Sequence, residues 1–535
     1  MRTPALAEPT FEVSQGIAYH KDTMLPDPAQ HAHTRALFLR AVGLVYLIAI
    51  ASWWVQIDDL VGSGGLVPAA PWLKRVSESA EAQNLSRMAN VPTVFWWIGA
   101  SDTALHVTAA AGCALAVCLI AGFITGPCLV GLFLIYLSFV TTGSPFMNFQ
   151  WDILLLEVGF LSIFLAPWRC LRLGWKSPPV PAPHHMAFLV LLWLVVAKLM
   201  FFSGWTKIAW AGEAHPEWWP EHTAMTYHYF TQPIPNPLSW YAHHLPLWFH
   251  KASLWPMFFV ELVLPFLVFF GRRARLVAAV GFAGLMLLIA ATGNYTYFNL
   301  LTIVLCIPLI AIPSRREQPE TGATSTSRFL RFGPAASRVL PFALLLWLNI
   351  HIILRDLHNA PSPLLENDLC PDFADTWAQK LAPFQIASGY GLFRTMTTER
   401  PEIIFEGSAD GNEWKTYDFR WKADSPDDKP SFIAPHQPRL AWQFWFAALE
   451  RQYHPRSRNA GWFSPLVSAI LDGKPVVDCF LVENPFPTTP PRYVRARLEH
   501  FTFTSPNERR ATGQIWNTET VGQFLPTVSK TPASP

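Results

Sequence analysis

The chain has 535 residues, of which only 15% are charged, against roughly 25% in ordinary soluble domains. Its 24 Trp and 39 Phe carry more apolar surface than a soluble chain can easily hide, which argues for a bilayer. A net charge of +2 lacks the basic face that a nucleic-acid partner requires.

Residues 1–34 are polar and contain Pro, without the apolar core of a cleavable signal, so insertion rests on the first spanning helix. A span needs about 20 apolar residues, or somewhat fewer when its ends are interfacial. On that basis the sequence predicts about nine transmembrane helices, at 36–55, 101–120, 126–142, 153–167, 186–205, 254–270, 276–292, 295–312 and 339–354.

Basic residues orient them. Arg35 and Arg40 open the first span, and Arg169, Arg172 and Lys176 follow the fourth. Arg272, Arg273 and Arg275 separate the sixth and seventh, and Arg315, Arg316, Arg328, Arg331 and Arg338 the eighth and ninth. With nine spans all four clusters fall on one side, while the short connections 142–150 and 293–294 opposite carry no charge. The expected layout is a cytoplasmic tail 1–34 and a helical domain 35–355, with outer loops 56–99 and 206–251 and a cytoplasmic linker 313–338. The loops are rich in Trp and Pro, as suits interfacial helices.

Beyond residue 354 the composition becomes ordinary, with acidic and basic residues in balance, and residues 370–535 read as an extracytoplasmic α+β domain. Segments 402–407 and 413–421 are strand-like and meet at Asp410-Gly411, a tight hairpin signal. Residues 436–450 form a helix apolar nearly all round, which must be buried or docked. A second helix, 462–471, is closed by Gly473, and 476–482 and 493–503 read as later strands. Cys113, Cys118, Cys128 and Cys306 lie in apolar segments, as buried thiols do, and no disulfide framework or metal pattern emerges. Cys370 and Cys479 alone fall in the terminal domain, where an oxidising compartment would allow them to pair.

Several ordered blocks resemble the lipase maturation factor family. Gln150-Trp151-Asp152, continuing through Leu154-Leu155-Leu156-Glu157 to Gly159-Phe160, is the first. Phe202-Ser203-Gly204 with Lys207, Tyr227-His228-Tyr229, Thr231-Gln232-Pro233 and Trp240-Tyr241-Ala242-His243 resemble its long outer loop. Thr292-Gly293-Asn294-Tyr295 with Phe298-Asn299-Leu300-Leu301 is a third block. In the terminal domain the matches are Gly391-Leu392-Phe393, Met396-Thr397, Arg400-Pro401-Glu402, Glu406-Gly407-Ser408, Asp410-Gly411 and Ala434-Pro435-His436-Gln437-Pro438-Arg439-Leu440. The likeness runs from about residue 145 to 505. It implies a chaperone that acts without a cofactor, with a secreted lipase or similar exported protein as client. The membrane would be the endoplasmic reticulum in a eukaryote or the inner membrane in a bacterium. The chain closes on Thr-Pro-Ala-Ser-Pro, not on a retention signal, and in a bacterium the family name would describe ancestry more than role.

Three ionisable residues, Glu157, Lys198 and Glu261, interrupt spans at similar depth, about seven residues from the outer end, so Lys198 is placed to pair with a carboxylate. A structural ion pair is the favoured reading, and a polar ligand-binding cavity its rival. The 206–251 loop holds His215, His222, His228, His243, His244 and His250 at spacings that match no metal motif, so interfacial packing is favoured and no metal is expected. His436-Gln437-Pro438-Arg439 suits a helix entry, with client contact as the alternative. The binding candidates are therefore Gln150, Trp151, Asp152, Glu157, Lys198, Tyr227, His228, Tyr229, His243, Asn294, His436, Gln437 and Arg439. No catalytic residue is assigned, since G-x-S-x-G, H-E-x-x-H and Walker A sequences are absent. The rival to a maturation factor is an intramembrane enzyme, loosely similar in layout to vitamin K-dependent carboxylase, with Lys198, Glu157 and the outer His as acid–base groups. Transport is weaker, because two matching halves with broken helices are not evident.

Overall fold

The computed structural model describes residues 28–168, 171–172, 178–181, 183–312 and 333–530. Most of the N-terminal tail and of the 313–338 linker, with Arg169, Lys176, Arg315, Arg316, Arg328 and Arg331, lies outside the described residues.

Among the described residues six helices are long and apolar enough to cross a membrane. They lie in α1 (Ala32–Trp54), α3 (Asp102–Ala121), α4 (Thr125–Thr142), α6 (Pro183–Ala209), α10 (Arg272–Thr292) and α12 (Gly333–His358). Helix α2 (Ala69–Ala82) belongs to the 56–99 connection. At the other three expected spans the helices are shorter. α5 (Gln150–Leu165) has 16 residues, about 24 Å of rise. α9 (Leu247–Phe258) runs into a π-helical turn, Phe259–Val263, before Leu264–Leu267. α11 (Phe298–Cys306) tightens into a 3-10 turn at Ile307–Leu309, where Pro308 withholds a backbone N–H. By length and composition alone the described residues thus hold six candidate spans, where the sequence predicts about nine.

Basic side chains collect at one end of the bundle. Arg35 donates to the Pro179 carbonyl at 2.6 Å, Arg272 to that of Ala311 at 3.3 Å, and the Arg275 guanidinium lies 4.5 Å from the Trp193 ring centre. Thr34 joins the same end, donating to Ile310 O at 2.7 Å. The α3–α4 turn is there too. Gly122 closes it at φ 78°, and Ile124 N–H donates to Leu171 O at 2.8 Å.

The opposite end is covered by the C-terminal region. Its sheet has the order β2-β1-β3-β4, with β1 (Pro401–Ser408), β2 (Lys415–Thr416), β3 (Tyr493–Phe503) and β4 (Trp516–Ser529), every pairing antiparallel. Side chains alternate between faces along a strand, yet β1 is buried throughout because both faces have covers. Phe405 meets Phe444 of α14 (Arg439–Ala448) at 5.9 Å and Phe463 of α15 (Ala460–Asp472) at 5.2 Å. Ile404, on the other face, shares a core with Tyr229 and Phe230 of α7 (Ala224–Thr231) and Trp240 of α8 (Pro237–His243). The 206–251 connection therefore supplies one of the two covers of this sheet.

The hairpin at Asp410-Gly411 is present. Gly411 takes φ 84°, and Asp410 Oδ1 accepts the N–H groups of Asn412 and Glu413 at 2.8 and 3.0 Å. Its second strand is only Lys415–Thr416, however, because beyond it the chain turns to 480–482, where Arg420 N–H donates to Phe480 O at 2.8 Å and Val482 N–H to Asp418 O at 2.9 Å, while Asp424 Oδ2 takes the Phe419 N–H at 2.8 Å. The expected strand 476–482 begins instead as a helix, Val476–Phe480, after Pro475, whose fixed φ suits a helix start. The Cys370–Cys479 pairing that an oxidising compartment would allow is not formed. Cys370 is buried with Sγ 3.9 Å from His351 O, whereas Cys479 is exposed, beside Asp59.

Candidate functional site

The thirteen candidates gather where the helix ends meet the C-terminal region, and none of them is exposed. At the centre is Asp152, third residue of α5. Its Oδ2 accepts the Phe149 N–H at 3.1 Å, as an acidic residue in a first turn can, and Arg439 Nη1 at 2.8 Å. Its Oδ1 accepts Tyr136 OH at 2.6 Å, Tyr297 OH at 2.7 Å and Arg439 Nη2 at 3.0 Å. Both charged side chains are fully buried. Burial alone would weaken the Arg439 charge, but Asp152 more than offsets this and holds the guanidinium above its ordinary pKa.

The residues before Arg439 fasten the same joint. Trp151 Nε1 donates to Gln437 Oε1 at 2.8 Å, and the Gln437 and Arg439 N–H groups donate to Ser52 Oγ and Gln56 Oε1, both at 2.9 Å. His436 Nδ1 lies 3.0 Å from Ser52 Oγ. Helix α14 is apolar nearly all round because Trp442 packs on Trp151 at 4.8 Å while Phe444 meets Phe405 of the sheet at 5.9 Å. Asn294 makes a second clamp. It donates to Ser431 O at 2.8 Å and accepts the N–H groups of Ile433 and Ala434 at 2.9 and 3.1 Å.

Lys198 forms the expected pair with a carboxylate, that of Glu157, at 2.9 Å, both fully buried. Lys198 also donates to Asn349 Oδ1 at 2.6 Å, and Tyr390 OH donates to the other Glu157 oxygen. Tyr390 thus brings the C-terminal region into the bundle, and Gly391 N–H reaches Gln150 Oε1 at 3.5 Å. Every charged atom of this pair therefore meets a protein partner. Glu261 pairs elsewhere, with Lys207 at 2.7 Å, and Lys207 also donates to Ser203 O at 2.9 Å. Gly204 permits this approach, since a Cβ there would sit 2.8 Å from Glu261 Cβ. The Ser203-Gly204…Lys207 spacing therefore serves the π-helical turn that carries Glu261.

In the 206–251 connection, Arg400 donates to the carbonyls of Phe230 (3.0 Å), Gln232 (2.5 Å) and Pro233 (3.2 Å) and pairs with Glu402 at 2.7 Å. Tyr227 packs against the Tyr229–Trp240 core. His228 stands 5.4 Å from the Phe393 ring and 3.4 Å from Tyr295 OH. His243 lies between Phe230 at 5.3 Å and Phe503 at 5.6 Å. Burial holds both imidazoles down to about 4, helped by Lys207 at His228 and by His244 and His250 at His243. Among the described residues no three His, Cys, Asp or Glu are placed to hold a metal ion.

The sequence reading missed Ser52, Gln56, Tyr136, Tyr297, Asn349 and Tyr390. Ser52 and Gln56 were visible as a polar pair one turn apart at the end of the first apolar run, and Asn349 as a lone amide in the last. One concavity, about 550 Å³, opens beside the joint, walled by Gln56, Asp59, Phe419, Trp421, His436 and Cys479.

The fold and joint define a polytopic integral membrane protein whose C-terminal sheet region is bolted to one end of its helices. Residues 33–313 match the lipase maturation factor transmembrane domain, and 386–526 the lipase maturation factor C-terminal domain. The chain is 32% identical to lipase maturation factor 2 of Xenopus laevis, over 93% of this chain and 83% of that protein. It is 31% identical to human lipase maturation factor 2 (92% and 82%) and 29% identical to human lipase maturation factor 1 (93% and 88%). The chain belongs to the lipase maturation factor family. No solved structure matches it.

Proposed function

We propose that this protein is a membrane-embedded maturation factor for secreted proteins, with a lipase as client. The names of its relatives support the client class. The observation that carries the reading is that the family blocks at 150–152, 292–295 and 434–440 meet at one buried joint, centred on Asp152 and Arg439. Such a joint offers a folding protein a firm platform. Because none of the thirteen candidates is exposed, they build that platform and leave client contact to neighbouring surface. The 550 Å³ concavity is the place we assign to it, with Trp421 at its rim, 48% exposed and held at φ 68°.

In the same reading the three shorter helices complete nine spans, one broken at the π-helical turn that carries Glu261 and one tightened at Ile307–Leu309 by the basic end. The basic end faces the cytoplasm, and the joint and residues 370–535 face the endoplasmic reticulum lumen or the periplasm. Co-expression with a secreted lipase tests the proposal. Active lipase in the medium should rise with the wild-type chain, and a photo-crosslinker at Trp421 should capture the lipase. Lipase output indifferent to this protein would overturn the client. Capture from a cytoplasmic probe instead would overturn the sidedness.

A further inference from the structure

Beyond the last span the chain does not leave the bilayer directly. Helix α12 ends at His358, yet Cys370 returns to His351 O, with Sγ at 3.9 Å. Seven residues of helix separate those two levels, about 10 Å along the axis. The fold-back is pinned. Arg355 pairs with Asp368 at 2.7 Å and with Asp375, and His351 Nε2 lies 3.2 Å from Asp375. Helix α13 (Asp372–Leu381) is therefore held at the level of residues 351–355, within the last turns of a membrane-crossing helix.

On α12 the residues 340, 344, 351 and 355 fall within about 60° of one another at 100° per residue. Leu340 and Leu344 are exposed, at 74% and 41%, so the face that α13 grips continues the face that α12 turns to lipid. α13 itself has two apolar sides. Ala374, Ala378 and Leu381 pack inward, whereas Phe373 and Trp377, one turn apart, point outward and are 65% and 55% exposed. Leu364 and Leu369 of the fold-back are exposed as well, at 53% and 59%. Lys380 Nζ stands 5.0 Å from the Trp377 ring centre, the basic-plus-aromatic pairing found at headgroup level.

We infer that α13 is an interfacial helix whose Phe373–Trp377 face, with Leu364 and Leu369, is seated in the lipid headgroup and upper acyl layer. The lipid surface covers it because it adjoins the exposed stripe of α12 at bilayer depth. Seated this way, the helix fixes the height and tilt of the C-terminal region against the membrane.

Hydroxyl-radical footprinting of the unmodified full chain in phosphatidylcholine nanodiscs tests this, with Trp421 as the exposed reference. Trp377 and Phe373 should be oxidised several-fold more slowly than their exposure would give relative to Trp421. Spin labels introduced by Phe373→Cys and Trp377→Cys in a Cys479→Ser chain should collide with oxygen more than with a water-soluble nickel chelate. A label at Thr520 on β4 should show the reverse. Oxidation of Trp377 in proportion to Trp421, or nickel-dominated collisions at both positions, overturns the inference. So does protection that rises with protein concentration, or labels shielded from both collision partners, since a second copy or another protein would then be the cover.

Discussion

The Arg439 guanidinium meets the Asp152 carboxylate through two bonds, at 2.8 and 3.0 Å, across 287 residues of chain. Removing one member of such a buried pair leaves a bare charge and costs about 3–5 kcal/mol. Arg439→Met is therefore expected to loosen the C-terminal region, seen as earlier thermal unfolding in detergent and faster proteolysis between 360 and 400. Arg439→Lys, which keeps the charge but not the fork, should fall between. Wild-type stability in Arg439→Met would show that the joint is held elsewhere.

Lys198 and Glu157 separate a structural role from a chemical one. Lys198→Met alone should destabilise by a similar amount, with loss of lipase output. The double substitution Lys198→Met with Glu157→Leu removes both charges and should recover most of the stability and the output. If stability returned but output did not, the pair would be acting on a substrate.

His228 and His243 predict a dependence on pH. Both are held neutral in the docked state, at about 4 against an ordinary 6.5. Between those values the undocked state binds more protons, so stability is full above 6.5 and is lost as pH falls towards 4. The limit for the fully enclosed His228 is roughly 3 kcal/mol, and less for the half-buried His243. Melting temperature measured from pH 7.5 to 4.5 should fall, and His228→Phe should flatten the curve. An unchanged slope would place the sensitivity in other groups.

Gly159 tests the helix packing. A Cβ there would stand 1.9 Å from Tyr46 OH, whose hydroxyl donates to Leu155 O at 3.3 Å. Gly159→Ala should cost about 1–3 kcal/mol by overpacking, and Tyr46→Phe in the same chain should recover part of it. Equal stability of Gly159→Ala and wild type would mean that α1 and α5 are further apart.

Cys479 should react with a water-soluble maleimide in the native protein without prior reduction, and Cys370 only after unfolding. Mass mapping of the adduct checks this. A Cys370–Cys479 linked peptide would reverse the present assignment.

The sequence reading anticipated the helical segments, the hairpin at Asp410-Gly411 and a buried pair of Lys198 with a carboxylate, because apolar runs, turn residues and buried charges are local signals. It could not choose Lys207 as the partner of Glu261, since the choice depends on how a π-helical turn approaches Gly204. It read 476–482 as a strand from its Val content, where Pro475 starts a helix over Val476–Phe480 and only the end of the segment pairs, at Leu481 with Phe419. Strand β4 went unseen because Asn517–Gln523 is polar and exposed, without an apolar alternation to betray it. The block Gln437-Pro438-Arg439 was legible as a helix entry. That its partners would be Ser52, Gln56 and Asp152 is a matter of tertiary geometry.

The shared core between the 206–251 connection and the sheet also sets a timetable. Tyr229, Phe230 and Trp240 leave the ribosome about 260–270 residues before Phe501 and Phe503, which complete their core. At about 5–20 residues per second, that gap is roughly 10–50 s of synthesis. Throughout it a nascent chain carries an uncapped aromatic cluster beside the bilayer, so a ribosome stalled before β3 would release a product that aggregates or is degraded, however well its helices have inserted.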